Sequence, residues 1–350
     1  MLRRFTLQPA CRQTLGRNGA ALLIGALLAY VPGLAIATEA PQPGPESPAP
    51  SDSVSTELIP EIVVQEPEPR FVAPTLRDRI GRIWAPVLIN GQGPFRLVLD
   101  TGSNRSVVNA AVAAKLGIPI TMDDSVMLQG VTGSRTVPTI AVDSLVAGEL
   151  DLRSRRLPIV TDALGGADGV LGTEGLQDKR IVIDFRHDMI KILRSHSQRA
   201  PPGFLTIPVR IVGGLLLVAN VRIGSLRAKA IIDTGGQGTI ANAVLRDALA
   251  RRVRPKDISV NEVTGTTLDV QQGDFVLTPL ISIGDLEIRQ AYITAGDIYI
   301  FQYWQMTKEP AILIGMDLLG LFDTLIIDYK RRELQVRMRG STAQDSGRLR

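Results

Sequence analysis

Leu97-Val98-Leu99-Asp100-Thr101-Gly102 returns 133 residues later as Ala230-Ile231-Ile232-Asp233-Thr234-Gly235. In each copy an apolar run ends in Asp-Thr-Gly. At the same offset Ser106-Val107 faces Thr239-Ile240 and Asn109 faces Asn242, while Val131-Thr132-Gly133-Ser134 returns at an offset of 132 as Val263-Thr264-Gly265-Thr266. Further on, Val170-Leu171-Gly172 matches Leu313-Ile314-Gly315 and Ile183-Asp184-Phe185 matches Ile327-Asp328-Tyr329, at offsets of 143 and 144. The jump places an insertion of about eleven residues in the second copy, in the interval holding the aromatic stretch Tyr299 to Trp304. One Asp-Thr-Gly arises by chance in roughly 0.05–0.1 of chains of this length. Two, followed by matched residues in the same order, identify a duplicated fold.

Outward from these anchors the texture is short β-branched runs punctuated by Gly and Pro, such as Pro86-Val87-Leu88-Ile89, Arg180-Ile181-Val182-Ile183 and Thr324-Leu325-Ile326-Ile327. That is an all-β pattern. Helical patterning is confined to Ala110–Leu116 and Ala243–Arg252. The expected architecture is two similar lobes of six or seven strands, 71–200 and 201–340, related by an approximate twofold axis, with a basic tail at 341–350.

The chemistry follows from what the motif can do. An apolar strand delivers a carboxylate to a tight turn, where Gly permits close backbone approach. The short Thr hydroxyl can bond backbone across the axis and lock two such loops together. Asp100 and Asp233 then lie side by side, share one proton and titrate as a coupled pair. A water between them can lose a proton to one carboxylate while the other protonates a carbonyl oxygen. Composition agrees: the single cysteine, Cys11, leaves no disulfide framework or Cys-based metal site, and two histidines, His187 and His196, argue against His-rich metal sites and weaken a Ser-His-Asp reading. No metal and no cofactor are expected.

These residues resemble the retropepsin-like aspartic proteases, in particular single-chain bacterial forms with two fused halves, over roughly Trp84 to Val336. The resemblance implies a duplicated retropepsin-like or pepsin-like acid protease barrel with Asp100 and Asp233 catalytic. Thr101, Gly102, Ser103, Thr234 and Gly235 support the loops. Val170-Leu171-Gly172 and Leu313-Ile314-Gly315 pack beneath them. It also implies hairpin flaps, with tips at Val131, Thr132 and Gly133 and at Val263, Thr264 and Gly265, over a polypeptide substrate bound as an extended strand. One departure stands out: the first motif continues with Ser103, whose hydroxyl can bond Asp100, and the second with Gly236. On the same fold, a catalytically silent peptide-binding module is the alternative to an endopeptidase.

The formal charge of +4 belongs to the leader: without Arg3, Arg4, Arg12 and Arg17, basic and acidic residues balance at 35 each. No case for nucleic-acid binding remains. Those arginines, then an apolar run from Ala20 to Ala37 ending in Ala35-Ile36-Ala37, read residues 1–37 as a secretory signal, with an uncleaved membrane anchor as the alternative. Residues 38–70 form a linker, and its stretch 38–69 carries eight prolines, seven acids and no Lys or Arg. A pro-segment is the competing reading of that stretch. The expectation is an exported, periplasmic, monomeric two-lobed chain, membrane-associated only if the leader is retained. Gly236-Gln237-Gly238-Thr239-Ile240-Ala241 imitates a dinucleotide fingerprint, but the chain around it lacks regular strand–helix alternation. For Tyr299 to Trp304, an exposed recognition loop and an apolar cover over the cleft both fit the sequence.

Overall fold

The computed structural model describes residues 83–161, 165–212, 216–251 and 258–339, with short strand segments at Phe5–Leu7, Leu22–Ile24, Leu28–Ala29 and Ala73–Pro74. The leader, the linker and the basic tail at 341–350 lie outside the described residues, those short segments apart. Among the described residues no helix is long and apolar enough to cross a membrane.

The first lobe is built from β1 (Trp84–Ile89), β2 (Gln92–Leu99), β3 (Val107–Asn109), α1 (Ala110–Lys115), β4 (Ser125–Gln129), β5 (Ser134–Ala147), β6 (Leu150–Val160) and β7 (Gly169–Leu171). Hydrogen bonding runs β6-β3-β7-β2-β1-β5, and β5 pairs again with β6, closing a barrel. Strand β4 pairs with the first half of β5 and forms a hairpin. In β2 the alternation of exposed Arg96 with buried Phe95 and Leu97 gives way to an unbroken buried run, Leu97-Val98-Leu99. The strand is covered on both faces where it delivers Asp100.

Strands β8 (Lys179–Asp184) and β9 (Met189–Arg194) follow, and then the second lobe: β10 (Leu205–Pro208), β11 (Arg210–Val212), β12 (Leu216–Ile223), β13 (Leu226–Ile232), β14 (Ile240–Asn242), α2 (Ala243–Ala250), β15 (Ser259–Gly265), β16 (Val270–Leu277), β17 (Ile281–Ile283), β18 (Leu286–Ile288), β19 (Tyr292–Gly296), α3 (Tyr299–Tyr303), β20 (Ala311–Ile314), α4 (Met316–Leu319), β21 (Phe322–Asp328) and β22 (Glu333–Met338). The order is β18-β17-β12-β13-β20-β14-β19-β16-β15, with β11 beside β12. This is more strands than the six or seven expected. The single long β5 of the first lobe corresponds to β16 and β17, separated around Pro279. Likewise β6 corresponds to β18 and β19, separated around Gln290 at φ 56°. A proline removes a ladder donor and a positive φ turns the chain out of the sheet, so each long strand becomes two.

A further sheet, β10-β22-β21-β8-β9, joins the lobes. In it Val182 of β8 lies opposite Ile326 of β21, its own counterpart at the repeat offset of 144, so the approximate twofold axis passes between them. Arg180 crosses the same junction, donating to Asp328 and to Gln335 at 2.8 Å each, with Asp328 fully buried. The largest apolar core runs through both lobes, and two smaller clusters cover the opposite faces of the aspartate-bearing strands.

Helices α1 and α2 fall where the sequence places them. Asn109 caps α1 by accepting from the Val112 amide at 3.1 Å, and Asn242 caps α2 by accepting from Leu245 at 2.9 Å. Asn242 does more: it also accepts from the Ala311 amide and donates to the carbonyls of Met306 and Glu309 at 2.7 and 2.8 Å. Loss of a cap costs about 1 kcal/mol, which is the expectation for Asn109→Ala. For Asn242→Ala, with three further partners released, two of them in buried bonds, about 3 kcal/mol is expected. Urea unfolding of the two variants measures the difference.

Candidate active site

The two Asp-Thr-Gly loops hold each other. Thr101 donates its hydroxyl to the Ile232 carbonyl at 2.6 Å, and Thr234 donates to the Leu99 carbonyl at 2.7 Å. Each hydroxyl oxygen also accepts from the other threonine's backbone N–H, at 3.2 and 3.1 Å. Ile232 and Leu99 are themselves counterparts at the 133 offset, so the exchange is symmetric. All four groups are buried, where an unmade hydrogen bond is costly. Sheet pairing completes the frame: the Asp100 amide donates to Leu171 and the Asp233 amide to Ile314, both at 3.0 Å.

Both aspartates have zero exposed surface. Their Oδ1 atoms accept from the amides of Gly102 and Gly235, each at 2.8 Å. The Asp233 carboxyl lies directly against Gly102: a Cβ there would stand 2.9–3.0 Å from its carbon and both oxygens. Glycine is needed at 102 because the opposite lobe's carboxyl fills the space a side chain would take. The geometry thus brings Asp100, Thr101, Gly102, Asp233, Thr234 and Gly235 into one cluster. After the motif the lobes differ. The Ser103 hydroxyl donates to the Arg105 carbonyl at 2.8 Å, whereas Gly236 gives its N–H to Asp233 Oδ1 at 3.1 Å.

Beneath each loop sits the apolar-apolar-Gly element. A Cβ on Gly172 would lie 2.5 Å from Arg105 backbone and one on Gly315 2.6 Å from the Gly238 carbonyl, so neither position has room for one. Hydroxyls lock these turns: the Gly172 amide donates to Ser106 Oγ and the Gly315 amide to Thr239 Oγ1, both at 3.2 Å. A carboxylate then completes each unit. Glu174 accepts from the Ser106 amide at 2.9 Å, while Asp317 accepts from the Thr239 amide at 3.0 Å and its hydroxyl at 2.7 Å.

The two hairpin tips meet. The Gly265 amide donates to Thr132 Oγ1 at 3.0 Å, and Gly130 and Gly133 abut Thr267 and Asp269. Val131, Thr132 and the half-buried Gly133 lie in the first hairpin's turn, as expected, whereas the buried Val263, Thr264 and Gly265 end strand β15 rather than forming a tip: that hairpin closes on the Thr264–Val270 pair, so its turn falls at 266–269. Among the described residues, the buried hydroxyls of Thr264, Thr266 and Thr267 have no hydrogen-bond partner. The aromatic stretch packs as a cover rather than an exposed loop: α3 buries Ile300 and Phe301 and lies against the first hairpin. Below the site, burial and the Asp100 charge push the Tyr329 hydroxyl above its ordinary titration range, while its counterpart in the first lobe is Phe185.

Residues 85–174, from β1 through the Gly172 turn to Glu174, match a family model described as aspartyl protease. Among solved structures the chain is similar to an aspartic proteinase from Irpex lacteus, at 14% identity and a TM-score of 0.49, over 78% of this chain and 98% of that one. No curated protein matches the chain.

In the first lobe and its repeat, Glu174 and Asp317 are the residues that sequence reasoning missed. Their signal was present: a carboxylate two positions after Gly172 and again two after Gly315, at the repeat offset of 143. The dinucleotide-like Gly236–Ala241 segment runs into strand β14 and not into a helix, which begins only at Ala243. Thr234→Val, nearly isosteric, leaves the Leu99 carbonyl and the Thr101 amide without their partner. A loss of about 2–4 kcal/mol is expected in chemical unfolding, with Thr234→Ser within about 1 kcal/mol of the parent because it keeps the hydroxyl.

Proposed function

We propose that the chain is an aspartic endopeptidase in which Asp100 and Asp233 activate one water between them. The observation that carries this reading is the contact of the Asp233 carboxyl with Gly102, held by reciprocal threonine bonds. Two carboxylates forced together cannot both ionise cheaply, and the aspartic-protease dyad is the type case of that effect. The ionised member takes a proton from water as it attacks the scissile carbonyl carbon, and the protonated member gives its proton to the carbonyl oxygen. Collapse of the tetrahedral intermediate breaks the C–N bond, and a carboxyl proton passes to the leaving amine. Thr101 and Thr234 keep the loops in register. Gly102 and Gly235 leave room and donate the amides that fix Oδ1.

The substrate of this reading is a polypeptide in extended form, lying between the aspartate loops and the flaps and pairing by backbone with the hairpin edges. The unpartnered hydroxyls of Thr264, Thr266 and Thr267 support it, since a bound strand supplies backbone groups to satisfy them. The arginine-led apolar leader supports export, with periplasmic or envelope proteins as targets and the monomeric chain freed or tethered according to leader processing. No cofactor takes part.

Purified protein presented with a peptide library near pH 5 is expected to cut it. Asp100→Asn and Asp233→Asn should each lower kcat/KM by about 10²–10⁴-fold, and Gly102→Ala should approach that loss by displacing the Asp233 carboxyl. Activity should fall steeply by pH 9, where the shared proton is gone. Loss in the Asp100 variant alone would contradict a shared dyad, and binding without cleavage would favour a silent peptide-binding module.

A further inference from the structure

We infer that helix α3 sets the side-chain preference on the second lobe's side of the cleft and holds the first flap down, an inference resting on the proteolytic reading of the dyad. Side chains two apart on a strand share a face, so Val98 flanks Asp100 and Ile231 flanks Asp233. Each begins an apolar recess beside its aspartate: Val98, Val107 and Val170 in the first lobe, and their counterparts Ile231, Ile240 and Leu313 in the second. The recesses are filled differently. In the first lobe Val126, Leu128 and Val137 of the flap strands β4 and β5 fill it, together with Trp84, Val160 and Ala167 of the barrel. In the second, Ile298, Ile300, Phe301 and Met306 of the inserted segment fill it, together with Val131 of the first hairpin's turn, Val263 of β15, and Val218 and Ala311 of the barrel.

The displaced residues can be named from the hairpin pairing. Leu128 corresponds to Val263, and both are buried, but the paired Val126 and Val137 correspond to Asn261 and Gly273, which bring no apolar side chain. The inserted helix has taken the place that those two valines occupy in the first lobe. Its segment is anchored to the barrel, because Asn242 binds the carbonyls of Met306 and Glu309 just after α3. When a flap lifts, the first recess loses lining that moves with it, and the second keeps Ile300 and Phe301.

The same helix fastens the hairpins. The Ile300 amide donates to the Val131 carbonyl at 3.0 Å, and the Tyr299 hydroxyl to Gln129 Oε1 at 2.5 Å. The Tyr299 amide donates to Gln271 of the second hairpin at 2.8 Å. Because both aspartates are fully buried, covering segments must move before substrate reaches them, and the Ile300–Val131 bond is among those that break when the first flap rises. Substrates with a small side chain facing the second lobe, and a larger one facing the first, are therefore the ones admitted.

The test combines cleavage-site profiling with amide hydrogen exchange on the full chain and its Phe301→Ala, Phe301→Leu and Tyr299→Phe variants. The parent is expected to accept only small residues on one side of the cut. Phe301→Ala should raise kcat/KM for leucine- or phenylalanine-sized residues there about tenfold and leave the other side unchanged, with a smaller shift in the same direction for Phe301→Leu. Tyr299→Phe should keep the profile and speed exchange of the Ile300 amide about fivefold, the worth of one hydrogen bond. A Phe301→Ala profile changed equally on both sides, or on neither, would overturn the inference, as would unchanged Ile300 exchange in Tyr299→Phe. Absence of cleavage in every form, with Ile300 exchange responding as expected, would overturn the proteolytic reading and support the hold on the flap.

Discussion

Two threonine hydroxyls, each spent on the other lobe's backbone, are the constraint on which the site depends. Thr101 and Thr234 lie at the ends of strands buried on both faces, so neither can turn to solvent for a partner. Their four bonds form only if the lobes meet about the axis that passes between Val182 and Ile326 in the joining sheet. Buried polar groups are inexpensive only when every member is satisfied. A small rotation of one lobe leaves several unsatisfied at once, which makes the juxtaposition of the aspartates stiff. Arg180 and Asp328 bind the same junction from the far side, again with the charge buried and its oxygens bonded.

Within that symmetric frame the halves have diverged where symmetry is not required by the grip. Phe185 faces Tyr329, Ser103 faces Gly236, and the unbroken β5 and β6 face pairs of shorter strands. The largest divergence is α3, which fills a recess where the first lobe has Val126 and Val137 of its hairpin. A single chain permits this: one half can acquire an insertion that a symmetric pair of identical chains would have to carry twice.

The frame was legible in the sequence because its residues are constrained by contact with the opposite copy. Asp-Thr-Gly, the two apolar-apolar-Gly elements and the capping asparagines recur at fixed offsets, and each meets a backbone group that leaves little choice of side chain. Periodicity was enough for α1 and α2, which have an apolar face against the barrel. It could not find α3 and α4, of five and four residues, because neither completes two turns. Glu174 and Asp317 were overlooked for another reason: they differ in length, and identity matching discounts a carboxylate that keeps its role with a changed side chain. The direction in which Tyr299 to Trp304 pack depends on tertiary contacts with Val131 and Gln129, about 170 residues away, and no local pattern carries that.

Carboxyl-carbon NMR of isotopically labelled aspartates, followed from pH 3 to pH 9, most directly tests the claim that Asp100 and Asp233 act as one unit. Coupling predicts a two-step titration for the pair, with one proton leaving well below and the other well above the ordinary aspartate range, and a single step at Asp100 once Asp233 is replaced by Asn. Two independent single-step curves, each unaffected by the other's replacement, would contradict it.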